Sequence, residues 1–123
     1  MKILFVCEGN ICRSPMAEVI FLNLAKKENR TDITVKSAGT WAYQGAPMTE
    51  LSRQALVDCG EELPETPHAA TQFSNQMNNE YDHMIDCRGF PDPYGHNLDA
   101  YIEVCKWLQV EVKKLYNQIC KTL

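Results

Sequence analysis

Apolar residues fall along this chain in two distinct periods. From residue 2 to 7, Ile3, Leu4, Phe5 and Val6 follow one another without a polar break. That is the pattern of a strand buried on both faces at the centre of a parallel sheet. Ile33 and Val35 alternate with Thr34 and Lys36, which predicts a second strand over 33–37. Residues 81–86 read as a third, short strand. Elsewhere the period is helical. Met16, Ala17, Ile20, Phe21 and Leu24 form one stripe, with Ser14 as N-cap and Pro15 in the first turn. A polar exit over 26–32 ends it. A second helix is predicted over 49–59, with Leu51, Ala55 and Leu56 inward and Gly60 as its stop. Residues 61–70 carry two prolines and little pattern, and a short helix is predicted near 71–78. Gly89, Pro91, Pro93 and Gly95 make a loop of 88–97. After Asn97, a natural N-cap, helical spacing runs from Leu98 through Tyr101, Ile102, Cys105, Leu108, Val112, Leu115, Tyr116 and Ile119.

Strands alternating with helices predict an α/β fold. The expected form is a three-layer sandwich: a short parallel sheet of three or four strands flanked by helices, with right-handed crossovers. Ligands in such folds bind beyond the carboxyl ends of the strands. The loop after the first strand, residues 7–13, lies there by construction and is the expected phosphate-binding loop.

At 123 residues the chain is expected to form a single domain, 1–123. Hydrophobic residues at 45% and charged residues at 23% exclude a disordered chain. A net charge of −4 argues against nucleic acid and anionic membrane as partners. No apolar run approaches the ~20 residues that span a bilayer. The apolar N-terminus meets Glu8, Asn10 and Arg13 at once, so it does not read as a signal peptide, and a cytoplasmic location is expected. There the six cysteines, 7, 12, 59, 87, 105 and 120, are expected as free thiols, with Cys105 on the apolar helical face.

The chemistry concentrates in Cys7-Glu8-Gly9-Asn10-Ile11-Cys12-Arg13-Ser14-Pro15. A loop that enters a helix aims several backbone N–H groups at one point and so makes an anion site. Gly9 permits unusual dihedrals there. Arg13 adds a planar fork of donors suited to two phosphate oxygens. Cys7, at the strand end, sits at the bottom of this cup, where a helix N-terminus and an arginine favour a negatively charged sulfur. A nucleophile beneath a cup for a tetrahedral dianion describes a phosphatase. The loop lacks the Gly-Lys-Ser/Thr of a nucleotide-binding P-loop. His68, His83 and His96 have no ligand-like spacing, and Cys7 with Cys12 is not a C-x-x-C pair, so neither a metal nor a cofactor is expected.

The run from Val6 to Glu18 resembles the signature of the low-molecular-weight protein tyrosine phosphatases. Lys36-Ser37-Ala38-Gly39-Thr40 and Asp92-Pro93-Tyr94 resemble two further motifs of that family, in the right order. The resemblance implies a metal-independent phosphatase acting through a phosphocysteine on phosphotyrosine proteins or small aryl phosphates. It implies Cys7 as nucleophile, Arg13 as phosphate clamp and Asp92 as general acid, with residues 8–12 around the phosphate. Ser14 would bond the thiolate, and Asn10, supported by Ser37, would hold the loop. Trp41 and Tyr94 would wall the entrance, and His68 would help order the site. Cys12 would be the neighbour able to form a reversible disulfide with Cys7.

Two departures from the family pattern stand out. Glu8 puts a carboxylate beside the nucleophile. And the third strand runs almost directly into the Asp92 loop, where family members place a further helix and strand. That shortening exposes a sheet edge, which the loop 87–96 or a second subunit is expected to cover, the latter giving a homodimer. Two rival readings share the loop. A thiol-dependent arsenate reductase would draw on Cys59 or Cys87 to relay a disulfide. A phosphate- or phosphoprotein-binding module would have impaired catalysis.

Overall fold

The computed structural model describes residues 1–121. Its elements follow the chain as β1 (Lys2–Cys7), α1 (Arg13–Lys27), β2 (Thr34–Gly39), α2 (Glu50–Asp58), a 3-10 turn (Asn75–Asn79), β3 (His83–Asp86) and α3 (Leu98–Cys120). The three strands form one parallel sheet in the order β2-β1-β3. β1 is therefore central, which is why its apolar run does not alternate.

The two faces of β1 feed different cores. Ile3, Phe5 and Cys7 face the three α-helices and join Met16, Ile20, Phe21, Leu56, Tyr101, Leu108 and Tyr116. Phe21 is the hub. Its ring meets Phe5 edge-on at 5.9 Å and Tyr116 at 5.2 Å, contacts that each contribute about 0.5–1.5 kcal/mol beyond burial. Leu4, Val6 and Ala38 face the other way, under Phe73, Met77 and Tyr81. The third layer is thus thin, made of the 3-10 turn and the chain around it.

Several predicted boundaries shift. The helix expected near 71–78 is reduced to the 3-10 turn, because Gln72 bridges Gly39 beside the sheet first. β2 runs on to Gly39, since Cys7 draws Gly39 into register. Thr49 caps α2 from outside, accepting from the N–H of Ser52. Asn97 caps α3 through the N–H of Ala100, as its sequence predicts.

The start of α1 is a correction with consequences for the site. Ser14 is not the N-cap. The helix begins at Arg13, Cys12 occupies the cap position, and no side chain caps it. The hydroxyl that could have satisfied the first turn is turned back to the Cys7 sulfur, leaving the leading N–H groups of the helix uncapped beside the loop.

The loop after β3 does not lie along the outer edge of that strand. Phe90 packs edge-on against Trp107 of α3 at 5.4 Å, and the carbonyls of Arg88 and Phe90 turn toward Arg13. His83, Met84 and Asp86 stay exposed, and among the described residues no fourth strand joins β3.

Candidate active site

The end of β1, the loop after it and the first turn of α1 form the floor of an open cleft of about 210 Å³. Cys7 and residues 8–13 line it, with Trp41, Asp92 and Tyr94 at its walls. Sequence-distant residues meet here for a topological reason. The carboxyl ends of β1, β2 and β3 point the same way, so the loops that follow them converge.

The Cys7 sulfur is buried and held from two sides. Ser14 Oγ lies 2.9 Å away, and the backbone N–H of Asn10 donates to the sulfur at 3.3 Å. Asn10 is the joint of the loop. It is fully buried and adopts a left-handed φ of 57°, a conformation asparagine accepts more readily than most residues. Its Nδ2 donates to Ser14 Oγ at 2.8 Å and to Ser37 Oγ at 2.9 Å. Its Oδ1 accepts from the N–H of Thr71 at 2.8 Å. Its backbone carbonyl accepts from His68 Nε2 at 2.6 Å, which fixes the proton on that nitrogen.

This chain of bonds has a direction. Ser37 Oγ donates to Glu18 Oε1 at 2.5 Å. Its own oxygen is then free to accept from Asn10, and Ser14, having accepted from Asn10, can donate to sulfur. Glu18 is buried enough that desolvation raises its carboxyl above the usual range, against the lowering effects of Ser37, His68 and Lys36.

β2 reaches under the loop. Thr40 N–H donates to the carbonyl of Cys7 and Trp41 N–H to that of Glu8, both at 2.9 Å. A Cβ on Gly39 would meet the Glu8 carbonyl at 2.3 Å and the Asn10 nitrogen at 3.0 Å, so this approach needs glycine.

Arg13 is 5% exposed. It donates to the carbonyls of Phe90 at 2.9 Å and Arg88 at 3.3 Å, and stands 3.6 Å from the half-exposed Asp92 carboxylate. Asp92 also accepts from the N–H of Tyr94 in a tight turn. The loop after β3 therefore brings Asp92 to the cleft. Trp41 and Tyr94 are exposed at 86% and 63%, so they are rim residues rather than packed core. Glu8 faces solvent, and its charge acts on Arg88, which grips Asp86 with two bonds of 2.9 Å.

Cys12 is buried. Its sulfur lies 3.7 Å from both Thr49 Oγ1 and Tyr101 OH. Burial raises its thiol above the ordinary value, with partial relief from those hydroxyls. All six cysteines are free. Among the described residues no group of three or more His, Cys, Asp or Glu side chains is placed to hold a metal ion, and no helix is long and apolar enough to cross a membrane.

The structure brings every sequence-predicted site residue to the cleft or directly beneath it. It adds two that the sequence reading left without a role. Glu18 sits one helical turn after Ser14, a spacing that could have signalled it. Thr71 acts through its backbone, which no side-chain pattern reveals.

The family model for low molecular weight phosphotyrosine protein phosphatase matches residues 2–89. The chain belongs to that family, whose members are cysteine-based phosphatases. The match ends just after β3. The protein-arginine-phosphatase of Bacillus subtilis (strain 168) is 29% identical over an alignment of 150 residues that covers 100% of this chain and 97% of that protein. The low molecular weight protein-tyrosine-phosphatase PtpA of Staphylococcus aureus (strain MRSA252) is 39% identical over 86 residues, 69% of this chain and 44% of that protein. Among solved structures, the low molecular weight protein tyrosine phosphatase from T. tengcongensis superposes with a TM-score of 0.85 at 26% identity, covering 97% of this chain and 99% of that one. The YwlE arginine phosphatase from Geobacillus stearothermophilus gives 0.84 at 22% identity, covering 98% and 93%, a likeness of fold.

Proposed function

We propose that this phosphatase hydrolyses phosphotyrosine and other aryl phosphate monoesters through a phosphocysteine on Cys7, with the whole chain, 1–123, acting as one domain. The observation that carries the reading is the Cys7 sulfur, held by Ser14 and the Asn10 N–H at the floor of a cup of backbone donors. The thiolate attacks phosphorus in line. Backbone N–H groups of residues 8–13 and the Arg13 fork hold the equatorial oxygens, where charge builds. Arg13 must exchange its bonds to the Phe90 and Arg88 carbonyls for phosphate. Asp92 protonates the departing phenolate and then takes a proton from the water that cleaves the phosphocysteine. Ser14 steadies the sulfur as nucleophile and as leaving group. The aryl preference is supported by Ile11, an apolar lining residue, and by the Trp41 and Tyr94 rings at the rim, which suit a flat ring. A nucleophilic free thiol also suits a reducing compartment, which supports the cytoplasm.

Phosphoarginine is the second reading. Glu8 favours it, since an exposed carboxylate at the mouth attracts a cationic guanidinium, and the Bacillus subtilis relative bears that activity in its name. Matched peptides carrying phosphotyrosine or phosphoarginine separate the two. A higher kcat/KM on phosphotyrosine is expected. A higher kcat/KM on phosphoarginine, reduced by Glu8→Gln, would reverse the assignment.

A further inference from the structure

The outer edge of β3 and an apolar groove beside it form one surface. Asp82 N–H donates inward to the Lys2 carbonyl at 2.8 Å, so by alternation the backbone groups of His83 and Ile85 turn outward. Among the described residues no strand meets them. His83–Asp86 carries neither proline nor lysine, residues that commonly blunt a sheet edge. Its one carboxylate, Asp86, is held by Arg88. On the helical side the edge opens into a groove of about 290 Å³, lined by Phe5, Ile85, Phe90, Leu108, Val112 and Leu115.

One stripe of α3 supplies the polar rim of this groove. Trp107, Glu111, Lys114 and Gln118 follow one another at helical spacing. Glu111, Lys114 and Gln118 reach the groove, and Trp107 meets its Phe90 edge-on. Glu111 and Lys114 also pair with each other at 3.3 Å. Laid antiparallel on a copy of itself, the stripe matches. Glu111 meets Lys114 and Trp107 meets Gln118, both ways round. A surface that a two-fold axis joins to itself must be self-complementary in this sense. The strand and the stripe also agree on where that axis passes, because Ile85 in β3 and Val112, between Glu111 and Lys114, line the same groove.

We propose that a second copy of this chain docks here, β3 antiparallel to β3 and α3 beside α3, in a two-fold dimer whose sheet runs on through both copies. Rotation about an axis normal to the sheet keeps each face where it was, so directly opposed side chains come from residues of the same parity. Ile85 opposite its own copy sets Met84 against Asp86. A register centred on Met84 would set Asp82 against Asp86, two like charges, and is disfavoured. A ladder this short does not hold two copies by itself, and the groove with its charged stripe adds the further area a stable interface needs. The carboxyl ends of the strands point in opposite directions in the two copies, so both catalytic clefts stay open.

The test follows the full chain by sedimentation velocity at rising concentration, with backbone hydrogen exchange read over residues 81–87. Expected is a single step from monomer to dimer. Residues 81–87 should exchange more slowly in the dimer, and kcat on aryl phosphate should be the same on both sides of the step. Glu111→Lys and Lys114→Glu should each weaken the dimer roughly tenfold, since symmetry counts every change twice. Mixing the two single variants should bring dimers back, because each restores the charge its partner lacks, and the double variant should dimerise alone. A monomer at every concentration would overturn the proposal. So would a dimer indifferent to both charge reversals, or residues 81–87 protected equally in the monomer. The wild-type measurements decide the matter even if a variant fails to fold. Failure of the phosphatase reading shows separately, as a dimer without turnover.

Discussion

Replacing Asn10 tests whether one buried asparagine holds the phosphate loop. Asn10→Ala removes the bonds to Ser14, Ser37 and Thr71. The two serines keep other partners, so each lost bond costs about 0.5–1.5 kcal/mol. The Thr71 N–H is left without its acceptor, at about 1–3 kcal/mol. Alanine at φ 57° adds about 1 kcal/mol of backbone strain. The sum is a loss of about 5 kcal/mol, a large share of the stability of a domain this size. Asn10→Gly loses the same side-chain bonds but accepts the positive φ, so it should be about 1 kcal/mol more stable than Asn10→Ala. Urea titrations with unchanged slope measure the difference directly. Both variants should also lose kcat, because Ser14 is no longer oriented toward sulfur. Asn10→Gly no more stable than Asn10→Ala, or both within about 0.5 kcal/mol of wild type, would refute the role assigned to this residue.

Three further outcomes follow from the same geometry. Gly39→Ala should destabilise by about 1–3 kcal/mol and raise KM for aryl phosphate, because its methyl would meet the Glu8 carbonyl at 2.3 Å. Gly89→Ala, with nothing within 4 Å of the new methyl, is the neutral control, and denaturation with steady-state kinetics reads both. Thr49→Ala should cost about 1 kcal/mol in urea unfolding, since it removes the oxygen that caps α2 at Ser52. The buried Glu18 carboxyl is raised above its ordinary 4.5, so the folded state holds its proton more tightly than the unfolded state does. Its contribution to stability is complete below 4.5 and is lost as pH rises through the higher folded value. Thermal midpoints across that rise should fall in wild type and stay flatter in Glu18→Gln.

Much of this was legible in the sequence where one local rule decides the outcome. β1 announced itself by an unbroken apolar run, and α3 by a stripe with Asn97 in front of it. The phosphate loop was legible because Cys7, Arg13 and the strand-to-helix transition lie within a few residues of one another. The reading failed where a tertiary partner outbid a local preference. Ser14 looked like a cap, but the Cys7 sulfur claims its hydroxyl. The stretch 71–78 looked helical, but Gly39 draws Gln72 to the sheet and Asn10 takes the Thr71 N–H.

The most direct test of the central claim is steady-state hydrolysis of an aryl phosphate in excess EDTA by wild type, Cys7→Ser and Asp92→Asn, with acid-quenched samples weighed for a phosphoryl adduct. The account predicts full turnover with the chelator present, an adduct on Cys7, no turnover in Cys7→Ser and about a 10²–10⁴-fold lower kcat in Asp92→Asn. Turnover abolished by EDTA, or retained in Cys7→Ser, would contradict it.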